Sequence, residues 1–276
     1  MSVAPSASPA PVAEAAPILI RETVGPIAVL TLNRPQARNA LSEAMLTALG
    51  GALSEIAGDR RLRAVVLAAH GPAFSAGHDM KELTARRSDP DRGRAYFKEI
   101  MTACSAVMQM IVRLPQPVVA AVEGVATAAG CQLVASCDLA VAARTARFST
   151  PGVHIGLFCS TPMVALSRNI PRKAAMEMLL TGEMIAAEQA ERIGLVNRVV
   201  AAGEAREQAL ALAQKIAAKS GAVLKLGKEA FYRQLEMDLA DAYAYTAEVM
   251  VENMLARDAE EGIGAFIDKR EPRWDN

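Results

Sequence analysis

The sequence carries no excess charge of either sign: its 276 residues include 30 Lys and Arg against 30 Asp and Glu. It also lacks any long basic run with aromatics interleaved, and only 4% of its residues are aromatic. Nucleic-acid grooves and anionic membrane surfaces are met by such basic patches, so neither partner is expected. Small neutral or anionic ligands remain open. Cysteine is scarce as well. Cys104, Cys131, Cys137 and Cys159 fall at spacings that match neither a CxxC metal clip nor a secreted disulfide framework. No metal site is expected, and the simplest compartment is a reducing one, the cytoplasm. No apolar run approaches the roughly 20 residues that span a bilayer. The first residues lack the basic start and continuous apolar core of a secretory signal, and arginine, which a transit peptide uses, first occurs at Arg21.

What is present is a chain 52% hydrophobic and 22% charged, long enough to bury a substantial core as one large domain or one domain with a small appendage. Residues 1–16, MSVAPSASPAPVAEAA, hold almost no large apolar side chain and are expected to be a mobile tail. Beyond them the pattern is α/β. ILIRETVGPIAVLTLN reads as a hairpin turning at Gly25-Pro26, Ser42 opens an amphipathic helix to about Ala57, and RAVVLAA is a short buried strand. A helix near 91–112 leads to the strand PVVAAVEG, and DLAVAA and ARFST supply more strands. From about Pro171 the text is mostly helical. The division expected is a strand-rich core over 17–200 and a helical C-terminal region over 201–276.

Two segments are built to present unpaired backbone N–H groups. In FSAGHDMKEL, Asp79 is the expected N-cap with Glu82 three residues on, a capping box that leaves Gly77 and His78 just outside the helix. In GVATAAGCQL, Thr127 is the expected cap, with Ala128 and Ala129 in the first turn, where donors lack intrahelical partners and the helix dipole favours negative charge. Either segment alone can be a plain capped helix. Two such donors converging on one carbonyl oxygen make an oxyanion hole. The first polar side chain along the second helix is Gln132, which hydrogen-bonds but does not exchange protons near neutral pH.

LTLNRPQARNAL, FSAGHDMKEL, GVATAAGCQL, EMLLTGEMIAAEQAERIGLVNRVV and EGIGAFIDKREPRW occur in the order found in the crotonase superfamily of enoyl-CoA hydratases and isomerases, which the chain resembles from about Ile18 to Trp274. AAGCQLVASCD and GLFCSTP bring it nearest to the enoyl-CoA hydratase domain-containing subgroup. The resemblance implies a spiral of strand-strand-helix turns and oxyanion-hole donors at the N–H of His78 and of Ala129. It implies adenine and pantetheine contacts from Ala37 and Arg38 and from Ala76, Asp79, Met80 and Lys81. A C-terminal helix, often from a neighbouring subunit, would bring Phe266 and Lys269 to the nucleotide of a homotrimer or dimer of trimers. The ligand implied is an acyl-CoA thioester in fatty-acid metabolism, with coenzyme A arriving as part of the substrate and no permanently bound cofactor.

The same resemblance marks departures. Active hydratases carry one glutamate where this chain has Gln132 and a second where it has Gly152, and their glycine-rich turn is replaced by Cys159-Ser160-Thr161-Pro162. A positioned general acid or base contributes typically 10²–10⁴-fold, so hydration by the usual route is not expected. Restoring both carboxylates is expected to raise hydration if the replaced loop admits a water. The alternatives are a decarboxylase-type reaction needing enolate stabilisation alone, and a non-catalytic acyl-CoA binder. His78 reads equally as a proton-transfer group or a neutral hydrogen-bonding residue. His154 lies near the second missing glutamate in sequence, although strand alternation can point it away. Cys131 and Cys159 read as buried apolar residues and not nucleophiles. Asp79 is accounted for by capping, while Lys81 and Lys269 are either phosphate partners or solvated surface charges.

Overall fold

The computed structural model describes residues 16–275. The tail expected over 1–16 therefore lies outside the described residues except for Ala16. Strands β1 (Leu19–Val24) and β2 (Ile27–Leu32) form the expected antiparallel hairpin, with Val24 paired to Ile27 across Gly25 at φ 57°. Helix α1 (Glu43–Gly58) follows, its Ser42 cap accepting from the Met45 N–H, and then β3 (Ala64–Ala69) and the short β4 (Ala73–Ser75). Next come α2 (Met80–Ala85), α3 (Arg94–Arg113), β5 (Val118–Val122), β6 (Val125–Thr127) and α4 (Ala129–Ser136). The chain continues through β7 (Leu139–Ala143), β8 (Arg147–Ser149), α5 (Pro162–Asn169), α6 (Arg172–Thr181), β9 (Ile185–Ala186), α7 (Ala187–Arg192) and β10 (Arg198–Val200). It ends in four helices, α8 (Ala205–Ala217), α9 (Gly221–Gln234), α10 (Leu239–Met254) and α11 (Arg257–Ile267).

The strands form two sheets. Six lie in the order β1-β2-β3-β5-β7-β10, parallel from β2 onward, and four in the order β4-β6-β8-β9. Strand β2 is buried along its whole length because both faces of the large sheet are covered, the normal condition of parallel sheets. Alternation divides it: Ala28, Leu30 and Leu32 face one apolar layer, built from the buried stripes of α1 and α3, while Ile27 and Val29 face another. That second layer is closed by Ala205, Ala209 and Ala213, small residues four apart on one side of α8 that let the helix sit close to the sheet.

The small sheet positions the site. Parallel β4 and β6 are neighbours, so their carboxyl ends emerge together, and each runs through a short turn into a helix, α2 or α4. Open α/β sheets place ligands at such ends. The first turn of α4 is pressed onto the end of β4: a Cβ built on Gly130 would lie 2.1 Å from the Ser75 carbonyl oxygen, so no larger residue fits.

Candidate active site at the carboxyl ends of two parallel strands

Asp79 caps α2 as expected, its carboxylate accepting from the N–H groups of Lys81 at 3.0 Å and Glu82 at 3.4 Å. The reciprocal half of the capping box is absent, because the Glu82 carboxylate accepts instead from the Glu43 N–H at 3.0 Å. Arg34 pairs with Asp79 at 2.8 Å. Burial favours the neutral acid, but Arg34 and the capping N–H groups outweigh it and hold the Asp79 carboxyl below the ordinary carboxylate range. Asp79 is thus an occupied structural carboxylate and not a free base.

The other helix start departs from expectation. Ala128, not Thr127, occupies the cap position of α4, and the Thr127 hydroxyl donates across to the Ala76 carbonyl at 3.3 Å, tying the two turns together. Ala128 takes φ 51° and ψ −121°, a region that residues with a Cβ rarely adopt. This turns the Ala128–Ala129 peptide so that its carbonyl accepts from the Gln132 N–H at 3.0 Å. In a trans peptide the N–H lies opposite the carbonyl, so the Ala129 N–H points out of the helix start. Relief of that strain is measurable: Ala128→Gly should stabilise the protein by about 1 kcal/mol, seen as a raised denaturant midpoint at unchanged slope.

The same reasoning orients His78. The Gly77 carbonyl accepts from the Leu41 N–H at 2.7 Å, which turns the His78 N–H away from Leu41. Gly77 stands at φ +87°, and a Cβ on it would lie 2.9 Å from the Ala128 Cβ and 3.2 Å from the Ala129 nitrogen. The two turns therefore abut, and among the described residues neither the His78 nor the Ala129 N–H has an acceptor. Two adjacent donors of this kind can polarise a carbonyl oxygen and hold an enolate.

Around them the titratable chemistry is thin. Gln132 is 4% exposed, and its Oε1 has no partner among the described residues. Both ring nitrogens of His78 are buried and, among the described residues, lack partners within hydrogen-bonding geometry. Burial pushes the His78 pKa below 6.5, with the nearby Leu41 backbone acting weakly the other way, so the ring is neutral at pH 7. As pH falls below 6.5 the unfolded chain takes up this proton before the folded one does, so stability drops through that window and is constant above it. Denaturant unfolding at pH 7.5 and 5.5 should show a smaller acid loss in His78→Gln than in the parent.

Gly152 lies on a buried point of the 3-10 turn Pro151–Ile155. A Cβ there would meet the Leu157 carbonyl oxygen at 2.8 Å and the Cys159 sulfur at 3.0 Å. Leu157 and Cys159 thus crowd the position at which the expectation of restored hydration needs a carboxylate. Gly152→Glu should cost about 1–3 kcal/mol in urea unfolding, typical of overpacking, and Gln132→Glu with Gly152→Glu should hydrate crotonyl-CoA no faster than the parent.

The remaining candidates divide. His154 is exposed and rests against Gly182 at the end of α6, where a Gly182 Cβ would lie 2.8 Å from its Nε2. All four cysteines are free and buried; burial pushes Cys104 and Cys131 up to about 12 and raises Cys137 and Cys159 too, the opposite of an activated thiol. Ala37, Arg38 and Ala76 sit together, the Ala76 N–H donating to the Arg38 carbonyl at 3.0 Å, with Met80 and Lys81 exposed on the first turn of α2. Phe266, 84% exposed, and Lys269 stand at the end of α11, which packs against α10. The tie from Thr127 to Ala76 and the strain at Ala128 are not legible in the sequence, since alanine carries no signal for positive φ.

Sheet topology, spiral succession and paired helix starts are those of the crotonase fold, and the chain belongs to the enoyl-CoA hydratase/isomerase family, whose model matches residues 22–276. Among curated relatives, the rat and human proteins named enoyl-CoA hydratase domain-containing protein 3, mitochondrial, are each 50% identical over 245 residues, covering 89% of this chain and 80% and 79% of theirs. Among solved structures, an enoyl-CoA hydratase from Mycobacterium smegmatis is 54% identical with a TM-score of 0.89, covering 94% of this chain and 99% of its own. The human domain-containing protein 3 is 48% identical in its solved structure, also with a TM-score of 0.89, over 94% of this chain and 100% of its own. The mitochondrial names of these relatives overturn the cytoplasmic expectation. Cysteine spacing without a disulfide framework does not tell one reducing compartment from another.

Proposed function

We propose that this protein binds acyl thioesters of coenzyme A and polarises the thioester carbonyl between the N–H groups of His78 and Ala129, without hydration by a pair of glutamates. The observation that carries this reading is the adjacency of two outward-turned, acceptor-free N–H donors at the carboxyl ends of β4 and β6. Ala37 and Arg38, with Ala76, Asp79, Met80 and Lys81, form the coenzyme side of the site. Phe266 and Lys269 complete it from a neighbouring copy in a trimer or dimer of trimers. Supporting that assembly, α10 and α11 leave the large apolar side chains Leu239, Tyr243, Met254, Ile263, Phe266 and Ile267 exposed, and apolar surface grouped in this way commonly marks a protein contact. Fatty-acid metabolism is the setting this ligand class suggests.

A second reading is decarboxylation of a carboxyacyl thioester, favoured by neutral His78 and by the absence of carboxylates at 132 and 152, so that no acidic side chain at those positions repels the substrate's own. The C–C bond would break to release carbon dioxide, its electron pair passing into an enolate held by the two donors, and a proton would then return to the α carbon. Calorimetry with butyryl-CoA and free coenzyme A, beside mass-spectrometric turnover of crotonyl-CoA and malonyl-CoA, separates these readings. Tighter binding of the thioester with unchanged crotonyl-CoA is expected. Butyryl-CoA bound no better than free coenzyme A would overturn the site, loss of carbon dioxide from malonyl-CoA would establish the second reading, and binding without turnover would leave a non-catalytic acyl-CoA binder.

A further inference from the structure

The segment 34–41 grips the whole loop from 70 to 79, and Asn39 stands at its centre. Arg38 and Asn39 are consecutive left-handed residues, at φ 50° and 51°, and neither is glycine. Asparagine tolerates this conformation better than most residues, and arginine does not share that advantage. Such tandem strain persists where surrounding contacts over-determine it. Here one fully buried side chain adds three such contacts to the turn's own backbone hydrogen bonds, among them Arg38 N–H to the Pro35 carbonyl and Asn39 N–H to the Arg34 carbonyl. Asn39 is 0% exposed; its amide nitrogen donates to the carbonyls of His70 and Ala73, both at 2.8 Å, and its Oδ1 accepts from the Arg34 N–H at 2.7 Å. The side chain thereby pins its own turn to both ends of the 70–73 segment that leads into β4.

The consequence appears two residues on. With the turn pinned, the Arg38 carbonyl faces the Ala76 N–H at 3.0 Å and the Leu41 N–H faces the Gly77 carbonyl at 2.7 Å. The Gly77 carbonyl and the His78 N–H belong to one planar peptide, so whatever fixes the first fixes the direction of the second. Gly77, at φ +87°, has no side chain to hold that plane itself. We propose that Asn39 is a positioning residue that acts through the 38–41 turn to set the direction of the His78 N–H. This rests on the reading of that N–H as a thioester donor.

The test uses a chromophore that reports polarisation, not affinity. A 4-dimethylaminocinnamoyl thioester of coenzyme A shifts its absorption to the red when its carbonyl oxygen receives strong hydrogen bonds, and at saturation the shift is independent of how tightly the ligand is held. Asn39→Gly keeps a residue at ease at positive φ while removing all three side-chain bonds, and Asn39→Ala removes both. The parent is expected to give the shift and Asn39→Gly to lose most of it, with affinity for an enolate-like ligand falling roughly tenfold to hundredfold, as for a donor displaced by a fraction of an ångström to an ångström. Amide exchange in the unmutated protein supplies a measurement that needs no variant to fold: Leu41 and Ala76 should exchange slowly. An Asn39→Gly protein with the parent's full shift, or a Leu41 amide that exchanges like an open loop, overturns the role of Asn39 alone. A parent that gives no shift overturns the thioester reading itself.

Discussion

Ala129→Pro should weaken an enolate-like thioester ligand about a hundredfold to a thousandfold while leaving α4 in place, because it deletes one polarising donor and sets the proline ring where the ligand oxygen would sit. Ala129 is the first residue of α4, and the first helical position is where proline is best tolerated, since the N–H it lacks has no intrahelical partner there. The loss is therefore not a helix hydrogen bond. It is the outward N–H set beside Gly77 and His78, and the proline ring would occupy the direction in which that N–H points. Competitive binding measures the effect, with circular dichroism and the unfolding midpoint as controls on the fold. A well-folded Ala129→Pro that binds the enolate-like ligand as the parent does would remove the carbonyl from this helix start.

Local signals in the sequence were strong where one residue decides the outcome. Gly25-Pro26 turns the hairpin, Ser42 accepts at the start of α1, and Asp79 accepts two N–H groups at the start of α2. They failed where a distant backbone group competes. Thr127 has the right chemistry for a cap, yet its hydroxyl goes to the Ala76 carbonyl, 51 positions away in the chain. Nothing in ATAAG announces that Ala128 adopts a conformation favoured by glycine. A glycine at 152 carries no sign in the sequence that the Leu157 carbonyl and the Cys159 sulfur crowd its Cβ direction. The two-residue strand β9, inside a stretch that reads as helical, is likewise visible through its pairing with β8 and not through its own composition. The motif order carried the fold. The crowding at Gly77 and the cross-loop bonds arise from contacts between segments distant in the sequence.

The largest expected loss of stability comes from the buried cation of α9. Lys228 and Tyr232 are four apart and share one face of the helix, and both reach Asp138: Nζ to Oδ2 at 2.6 Å, and the phenol O–H to Oδ1 at 3.0 Å. Lys228 also donates to the carbonyls of Ile111, in the last turn of α3, and Gln116, at 3.0 and 3.2 Å, while Asp138 Oδ2 accepts from the Val118 N–H at 2.7 Å. One ammonium thus joins α9 to the end of α3, the segment leading into β5 and Asp138, two residues past the end of α4. Burial presses the Lys228 pKa downward and Asp138 opposes it, which marks a charge held by its partners and not by water. Lys228→Met leaves Asp138 without its counter-charge and two buried carbonyls without a donor, a loss of about 3–5 kcal/mol in urea unfolding. Adding Asp138→Asn removes the stranded charge, so the double variant should lose less than the sum of the single losses, a coupling readable in a double-mutant cycle. Strict additivity, or a Lys228→Met protein within about 1 kcal/mol of the parent, the range of exposed pairs, would show that water and not Asp138 carries this charge.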